Sequence, residues 1–202
     1  MDKNNCVIYI VRHGETSENL NHIIQGHTNS VLNETGKLQA KNIAQELRNI
    51  KFDNIFSSDL LRTKETAEII AIEQKLKVET TKALRERRWG HLEGKSVSII
   101  LTLEELKKKL SKKDRLKYKP SDDIESDEEI ISRLIPFLRE IAVGFIGKTI
   151  LIVSHGGVMR ILLQHLGRKV PHGAASNTAY IILESDGVEF FIKGTEGIKF
   201  DE

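Results

Sequence analysis

The sequence predicts an α/β fold, a three-layer α/β/α arrangement around a mostly parallel sheet with an antiparallel edge strand. Three observations carry that expectation. "CVIYIV" from Cys6 and "TILIV" from Thr149 are apolar runs without two-residue alternation, as strands covered on both faces read. Stretches with helical spacing of apolar residues alternate with such runs. The last patterned stretch, "AYIILESDGVEFFIKG", reads instead as a hairpin turning at Asp186-Gly187, which supplies the antiparallel edge.

Taken in order, the first strand ends at Val11 and is followed by Arg12, His13, Gly14 and Glu15. From Thr35, a helix places Leu38, Ala40, Ile43, Ala44 and Leu47 on one stripe. Ile55 and Phe56 form a short strand. Ser57 or Ser58 then caps a helix that buries Leu61, Ala67, Ile70 and Ala71 and carries Arg62 in its first turn. Residues 95–125 are highly charged and weakly patterned, and read either as a solvated helix and loop or as a cap over a site. Ser126 and Glu129 form a capping box for a helix that uses Ile130, Leu134, Phe137, Leu138 and Ile141 and bends near Pro136. After the strand at Thr149 come a turn at His155 to Gly157 and a further helix.

Composition bounds the function. A chain of 202 residues fits one domain, residues 1–202, and 39% hydrophobic with 30% charged residues is an ordinary globular balance. Lys plus Arg number 31 against 29 Asp plus Glu, so no global charge excess draws the chain to nucleic acid or a membrane. Cys6 stands alone, which excludes an intramolecular disulfide and a Cys-rich metal site and suits a reducing compartment. "MDKNN" has no apolar core of a signal peptide, and no apolar run approaches the roughly 18 residues of a membrane span. The expectation is a cytoplasmic protein, a monomer or a homodimer paired through its edge hairpin.

The chemistry gathers at strand ends, where open α/β sheets bind their ligands. Arg12 and His13 follow the first strand, Arg62 a second, Glu86 in "ALRERRWGHLEGKS" a third, and His155, Gly156 and Gly157 the strand "ILIV". Paired arginines make forked, charge-assisted hydrogen bonds that match phosphoryl oxygens. A neutral imidazole is a nucleophile toward phosphorus, and a carboxylic acid can protonate the departing oxygen and later take a proton from water. With two arginines and a protonated second histidine around the oxygens, no metal ion is required. Neither a metal nor an organic cofactor is expected.

"RHGET" after a strand, "SSDLLRT", "LRERRWGHLEG" and "SHGGVMR", in this order and spacing, resemble the histidine phosphatase superfamily with its phosphoglycerate mutase-like fold. The resemblance spans essentially the whole chain. It implies that His13 becomes phosphorylated, that Arg12, Arg62 and His155 bind the transferring phosphoryl group, and that Glu86 donates the proton. It further implies that Asn19, Gln25 and Gly26 touch the phosphate or the substrate, as does the backbone at Gly156 and Gly157, with Arg87 and Trp89 on the substrate wall. Glu15 is expected to hold the site in place from behind, while His22, His27, His91, His165 and His172 are expected at the surface or satisfied locally.

Two other motifs are set aside. "GFIGKT" ends like a phosphate-binding loop, but Ala142 occupies its first glycine position and it precedes a strand. "KKKLSKKDRLKYK" lacks interleaved aromatics and is offset by "SDDIESDEE", so it reads as a solvated face and not as a nucleic-acid surface. Within the superfamily, mutases carry a tandem arginine pair where this chain has Lys117-Tyr118-Lys119-Pro120, and Asn where it has Gly157; both differences favour hydrolysis. The chain looks closest to the fructose-2,6-bisphosphatase-like and broad-specificity branches, although "KPSDDIES" stands where "PPGGES" is frequent. The expected substrate is a small phosphorylated metabolite. A phosphoglycerate mutase and a non-catalytic phospho-ligand binding module are the alternatives.

Overall fold

The computed structural model describes residues 5–201. One six-stranded sheet organises it. Its strands are β1 (Cys6–Arg12), β2 (Asn54–Ser58), β3 (Val78–Thr81), β4 (Thr149–Ser154), β5 (Ala175–Ser185) and β6 (Phe190–Ile198). Their order is β3-β2-β4-β1-β5-β6, with β3, β2, β4 and β1 mutually parallel and β5 and β6 antiparallel. The antiparallel part is therefore two strands wide, because the whole closing hairpin joins the sheet beside β1.

The apolar runs are buried on both faces, as their lack of alternation predicts. Ile8, Ile10, Ile150 and Ile152 face α6 (Asp127–Gly144) and α7 (Gly156–His165), while Val11, Leu151 and Val153 face α2 (Glu34–Glu46) and α3 (Leu61–Gln74). Three layers result. The register pairs Arg12 with Ser154 and Ser58 with Thr81, so the carboxyl ends of the parallel strands lie along one edge. A short α1 (Ser17–Leu20) follows β1 at that edge. No described helix is long and apolar enough to cross a membrane.

Ser126 and Glu129 do form a reciprocal capping box, and α6 runs unbroken through Pro136. Three local expectations fail. Leu38 and Leu61 are 59% and 38% exposed, because the inward faces of α2 and α3 are formed by Gly36, Ala40, Ile43 and Ala44, and by Arg62, Thr63, Thr66, Ala67, Ile70 and Ala71. Neither Ser57 nor Ser58 caps α3; Leu60 takes that position, and the Ser58 hydroxyl accepts the Leu60 N–H from the strand end. The turn expected at His155 to Gly157 shrinks to His155 alone, since α7 already begins at Gly156.

Gly36 explains why a glycine occupies the first turns of α2. A Cβ there would stand 2.0 Å from the Glu15 carbonyl oxygen, and one on Gly14 would stand 2.4 Å from the Gly36 carbonyl oxygen. Both neighbours are backbone and cannot yield cheaply. Gly36→Ala is therefore expected to destabilise the fold by about 3 kcal/mol, a fall in Tm of roughly 6–12 °C. Thermal unfolding checks this, and an unchanged Tm would refute the close packing of α2 on the His13 loop.

Residues 95–125 contain α4 (Ser98–Lys108) and α5 (Lys112–Lys117). Ile100 joins Ile24, Leu92 and Ile124 in a small separate core, with Trp89 and Val97 packed against it. The expected solvated face is broken at Lys107, which is buried and donates to Asp127 at 2.5 Å.

Candidate active site

A cavity of about 420 Å³ opens at the carboxyl edge of the sheet. Arg12, His13, Asn19, Gln25, Gly26, Arg62, Glu86, Arg87, Trp89, Gly156 and Gly157 all line it. His155 stands behind them: it is fully buried, and its ring lies edge-on to that of His13 with centroids 5.3 Å apart.

The loop after β1 orients His13. Its backbone N–H continues the sheet pattern by donating to the Ser154 carbonyl at 3.1 Å, and the Gly14 N–H donates to the Thr66 hydroxyl on α3. The His13 Nδ1 lies 2.7 Å from the Gly14 carbonyl oxygen. A carbonyl can only accept, so Nδ1 carries the hydrogen, and in the neutral ring Nε2 keeps its lone pair. Glu15 steadies the same loop: its carboxylate accepts from Asn33 at 2.8 Å, and its N–H donates to Gln39.

Cations surround this imidazole. Arg12 donates through Nη1 to the Ala175 carbonyl, and Arg62, only 1% exposed, donates to the Gly26 and Thr28 carbonyls at 2.8 and 2.9 Å. The Nε atoms of both arginines are buried without a partner, as are both ring nitrogens of His155. So many orphaned polar groups in one place are costly unless a ligand satisfies them. Burial lowers the Arg62 pKa to about 10, which leaves it charged at neutral pH.

Burial holds both His13 and His155 well below the usual histidine range; Arg62 and Arg12 add to this for His13, and Arg62 and His13 for His155. The free site thus holds two neutral imidazoles. The protonated second histidine that the sequence reading calls for is absent before an anion arrives, because burial and, after it, the neighbouring guanidinium charge oppose it. A bound dianion would reverse that field. The linkage sign follows: the unfolded chain takes up protons near pH 6.5 and the folded site does not. Stability is fully present above about pH 6.5 and lost below it, at up to about 1.4 kcal/mol per pH unit for each histidine. Tm is expected to fall between pH 7.5 and 5.5, and less steeply for His155→Gln; identical slopes for the two proteins would reject this origin.

Glu86 sits across from these groups. One of its carboxylate oxygens accepts the Arg87 N–H at 2.7 Å and the other the Gly157 N–H at 3.0 Å, so the first turn of α7 fixes its plane. A Cβ on Gly157 would stand 2.4 Å from the Glu86 carboxylate, and one on Gly156 would stand 3.2 Å from Arg12 Nε. The glycines let the helix terminus approach both residues.

Asn19 and Gln25 complete the near wall. The Asn19 side-chain oxygen accepts from Thr16 and from Asn177, which turns its NH₂ group toward the free side. Gln25 is buried, and its side-chain oxygen has no partner. Arg87 faces the cavity but is committed elsewhere: it donates to the Glu125 carbonyl and to Asp127, and its guanidinium lies 5.1 Å from the centre of the Trp89 ring.

The structure adds residues that the sequence reading missed. Asn177 donates to the His13 carbonyl at 3.1 Å from a register-shifted stretch of β5, next to Thr178 at φ 60°. A β-branched residue in the left-handed region is an outlier that marks an over-determined segment. His22, exposed as expected, and His172 also line the cavity, and so does Arg160 from α7. His27 is satisfied locally, with its Nε2 2.8 Å from the Glu86 carbonyl oxygen. Among the described residues, no group of three or more His, Cys, Asp or Glu side chains stands together as metal ligands would.

An α/β sheet whose carboxyl edge presents a neutral imidazole, unsatisfied guanidinium nitrogens and a fixed carboxylate defines an enzyme of phosphoryl transfer. Residues 8–196 match the profile of the histidine phosphatase superfamily (branch 1). A probable phosphatase of Schizosaccharomyces pombe is 35% identical over 78% of this chain and 72% of its own length. A broad-specificity phosphatase of Saccharomyces cerevisiae is 31% identical over 82% of this chain and 72% of its own. Among solved structures, a phosphoglycerate mutase from Bacillus anthracis superposes with a TM-score of 0.83 at 27% identity, covering 98% of this chain and 95% of that one. The chain belongs to the histidine phosphatase superfamily, and within it the protein is a phosphatase-class enzyme.

Proposed function

We propose that the enzyme hydrolyses small phosphomonoesters without a metal ion, through a phosphohistidine on His13 with Glu86 as proton donor. The observation that carries this reading is the hydrogen bond from His13 Nδ1 to the Gly14 carbonyl, which leaves Nε2 as the free nucleophilic nitrogen of the cavity. In the first step the Nε2 lone pair bonds to phosphorus, the bond from phosphorus to the leaving oxygen breaks, and the Glu86 proton goes to that oxygen. In the second, water attacks the phosphohistidine, Glu86 takes the water proton, and phosphate departs from a neutral His13. Arg12, Arg62 and His155 balance the charge on the three non-bridging oxygens.

The substrate body would rest against Trp89, Val97 and Ile100, so α4 and the segment before it act as a cap. Their apolar surface and the modest cavity favour a small phosphorylated metabolite over a folded partner. The likeness to a solved phosphoglycerate mutase supports a second reading, isomerisation of a phosphoglycerate.

The test is phosphate release from a panel of phosphometabolites and p-nitrophenyl phosphate with a chelator present. Hydrolysis of at least one is expected. Isomerisation of 3-phosphoglycerate without hydrolysis would establish the mutase reading instead, and neither reaction would point to a binding module.

A further inference from the structure

A second and larger cavity, about 1160 Å³, lies beside the first between α4, α5 and α7 and the segment 167–172. None of Arg12, His13, Arg62, Glu86 or His155 lines it, yet Arg160 and His172 line both cavities. We propose that this second cavity binds an organic anion with an apolar body, as an effector distinct from the substrate, and that Arg160 and His172 couple it to the catalytic pocket.

Four features support the proposal. Leu116, Ile131, Ile161 and Val170 give the lining an apolar part, and the cavity is large enough to admit a drug-sized ligand. Leu101 and Leu116, both on this lining, are exposed large apolar side chains, 51% and 39% accessible. The lining carries six basic against four acidic side chains; Lys107 and Arg160 are matched by Asp127 and Glu104, whereas Arg168 and Lys169 form no ion pair with another described residue. Arg168 and Lys169 are both solvent-exposed, so they are free to pair with an anionic head. Finally, Arg160 is 7% exposed and its Nε is buried without a partner, an unsatisfied donor in the common wall.

The coupling has a physical route. Arg160 holds Glu104 of α4 at 2.9 Å, and α4 also supplies Ile100 to the catalytic cavity. An anion in the second cavity competes with Glu104 for this guanidinium or draws α4 toward α7. Either change alters the wall against which the substrate body rests, so the effector and the substrate influence each other's affinity equally.

The experiment titrates the full chain with 8-anilinonaphthalene-1-sulfonate, followed by fluorescence, with and without saturating inorganic phosphate. One equivalent is expected to bind without being displaced by phosphate. Arg168→Glu combined with Lys169→Glu is expected to weaken binding at least tenfold while leaving hydrolysis of p-nitrophenyl phosphate unchanged when no probe is present. The control pair Lys41→Glu with Lys51→Glu, outside the cavity, is expected to bind as the wild type does. Bound probe is expected to change KM for p-nitrophenyl phosphate in the wild type. Displacement by phosphate, indifference to the charge reversal at 168 and 169, or a KM that bound probe does not move would each overturn the proposal. Because stoichiometry, competition by phosphate and the effect of the charge reversal are read by fluorescence alone, failure of the proposed hydrolytic mechanism would not be mistaken for failure of this site.

Discussion

His13→Ala is expected to reduce turnover by at least about 10⁴-fold, equivalent to about 5.4 kcal/mol of barrier. Of the histidines that line that cavity, His13 is the one that directly follows a parallel strand and has its Nδ1 held by a backbone carbonyl, while His155 is buried behind the wall. The loss should appear in kcat for every substrate, since attack at phosphorus is common to all of them. Rapid quenching of the wild type during turnover should yield an acid-labile, alkali-stable phosphoenzyme, and the variant should yield none. His13→Gln, which keeps a donor for the Gly14 carbonyl, separates chemistry from folding. If the glutamine variant unfolds at the wild-type temperature and retains more than a few per cent of wild-type activity, the nucleophile is another residue.

Glu86→Gln is expected to cost about 10²–10⁴-fold in kcat for alkyl phosphates and less than about tenfold for p-nitrophenyl phosphate, whose nitrophenolate departs without needing a proton. The contrast is the informative quantity. The glutamine is nearly isosteric, but its NH₂ end must face one of the two backbone donors, Arg87 N–H or Gly157 N–H, where the carboxylate accepts from both. A purely structural disturbance from that mismatch would slow all esters alike. Measured across esters of rising leaving-group pKa, a loss that does not grow with pKa would remove Glu86 from the proton-transfer role.

The layers were legible because period and burial are local properties of a chain. An apolar run without alternation can be satisfied only between two helical layers, and the capping box at Ser126 states where a helix begins. Leu38 and Leu61 misled for a definite reason. Hydrophobicity alone assigns a leucine to the inward face, whereas the inward position on α2 belongs to Gly36, the one residue small enough to lie against the Glu15 carbonyl. Similarly, Ser57 and Ser58 have the chemistry of caps, but sheet pairing holds them in β2 and leaves Leu60 at the helix start.

The sequence by itself determined the α/β class, the strand ends at which chemistry collects, and the identity of the charged groups there, because each rests on a short motif or a period of two to four residues. Tertiary structure decided the rest. The tautomer of His13 depends on a carbonyl one residue away that only the folded loop turns toward it. The neutrality of His155 depends on burial beside arginines from three other elements. The plane of Glu86 depends on a helix terminus 71 residues downstream. Asn177 and His172 belong to no motif, and Arg160 stands only as the end of "SHGGVMR"; they reach the cavity because α7, β5 and the segment joining them pass its rim. Groups distant along the chain acquire their protonation states and orientations from one another only after the sheet has brought its carboxyl ends into a single row, so no local pattern could have announced them.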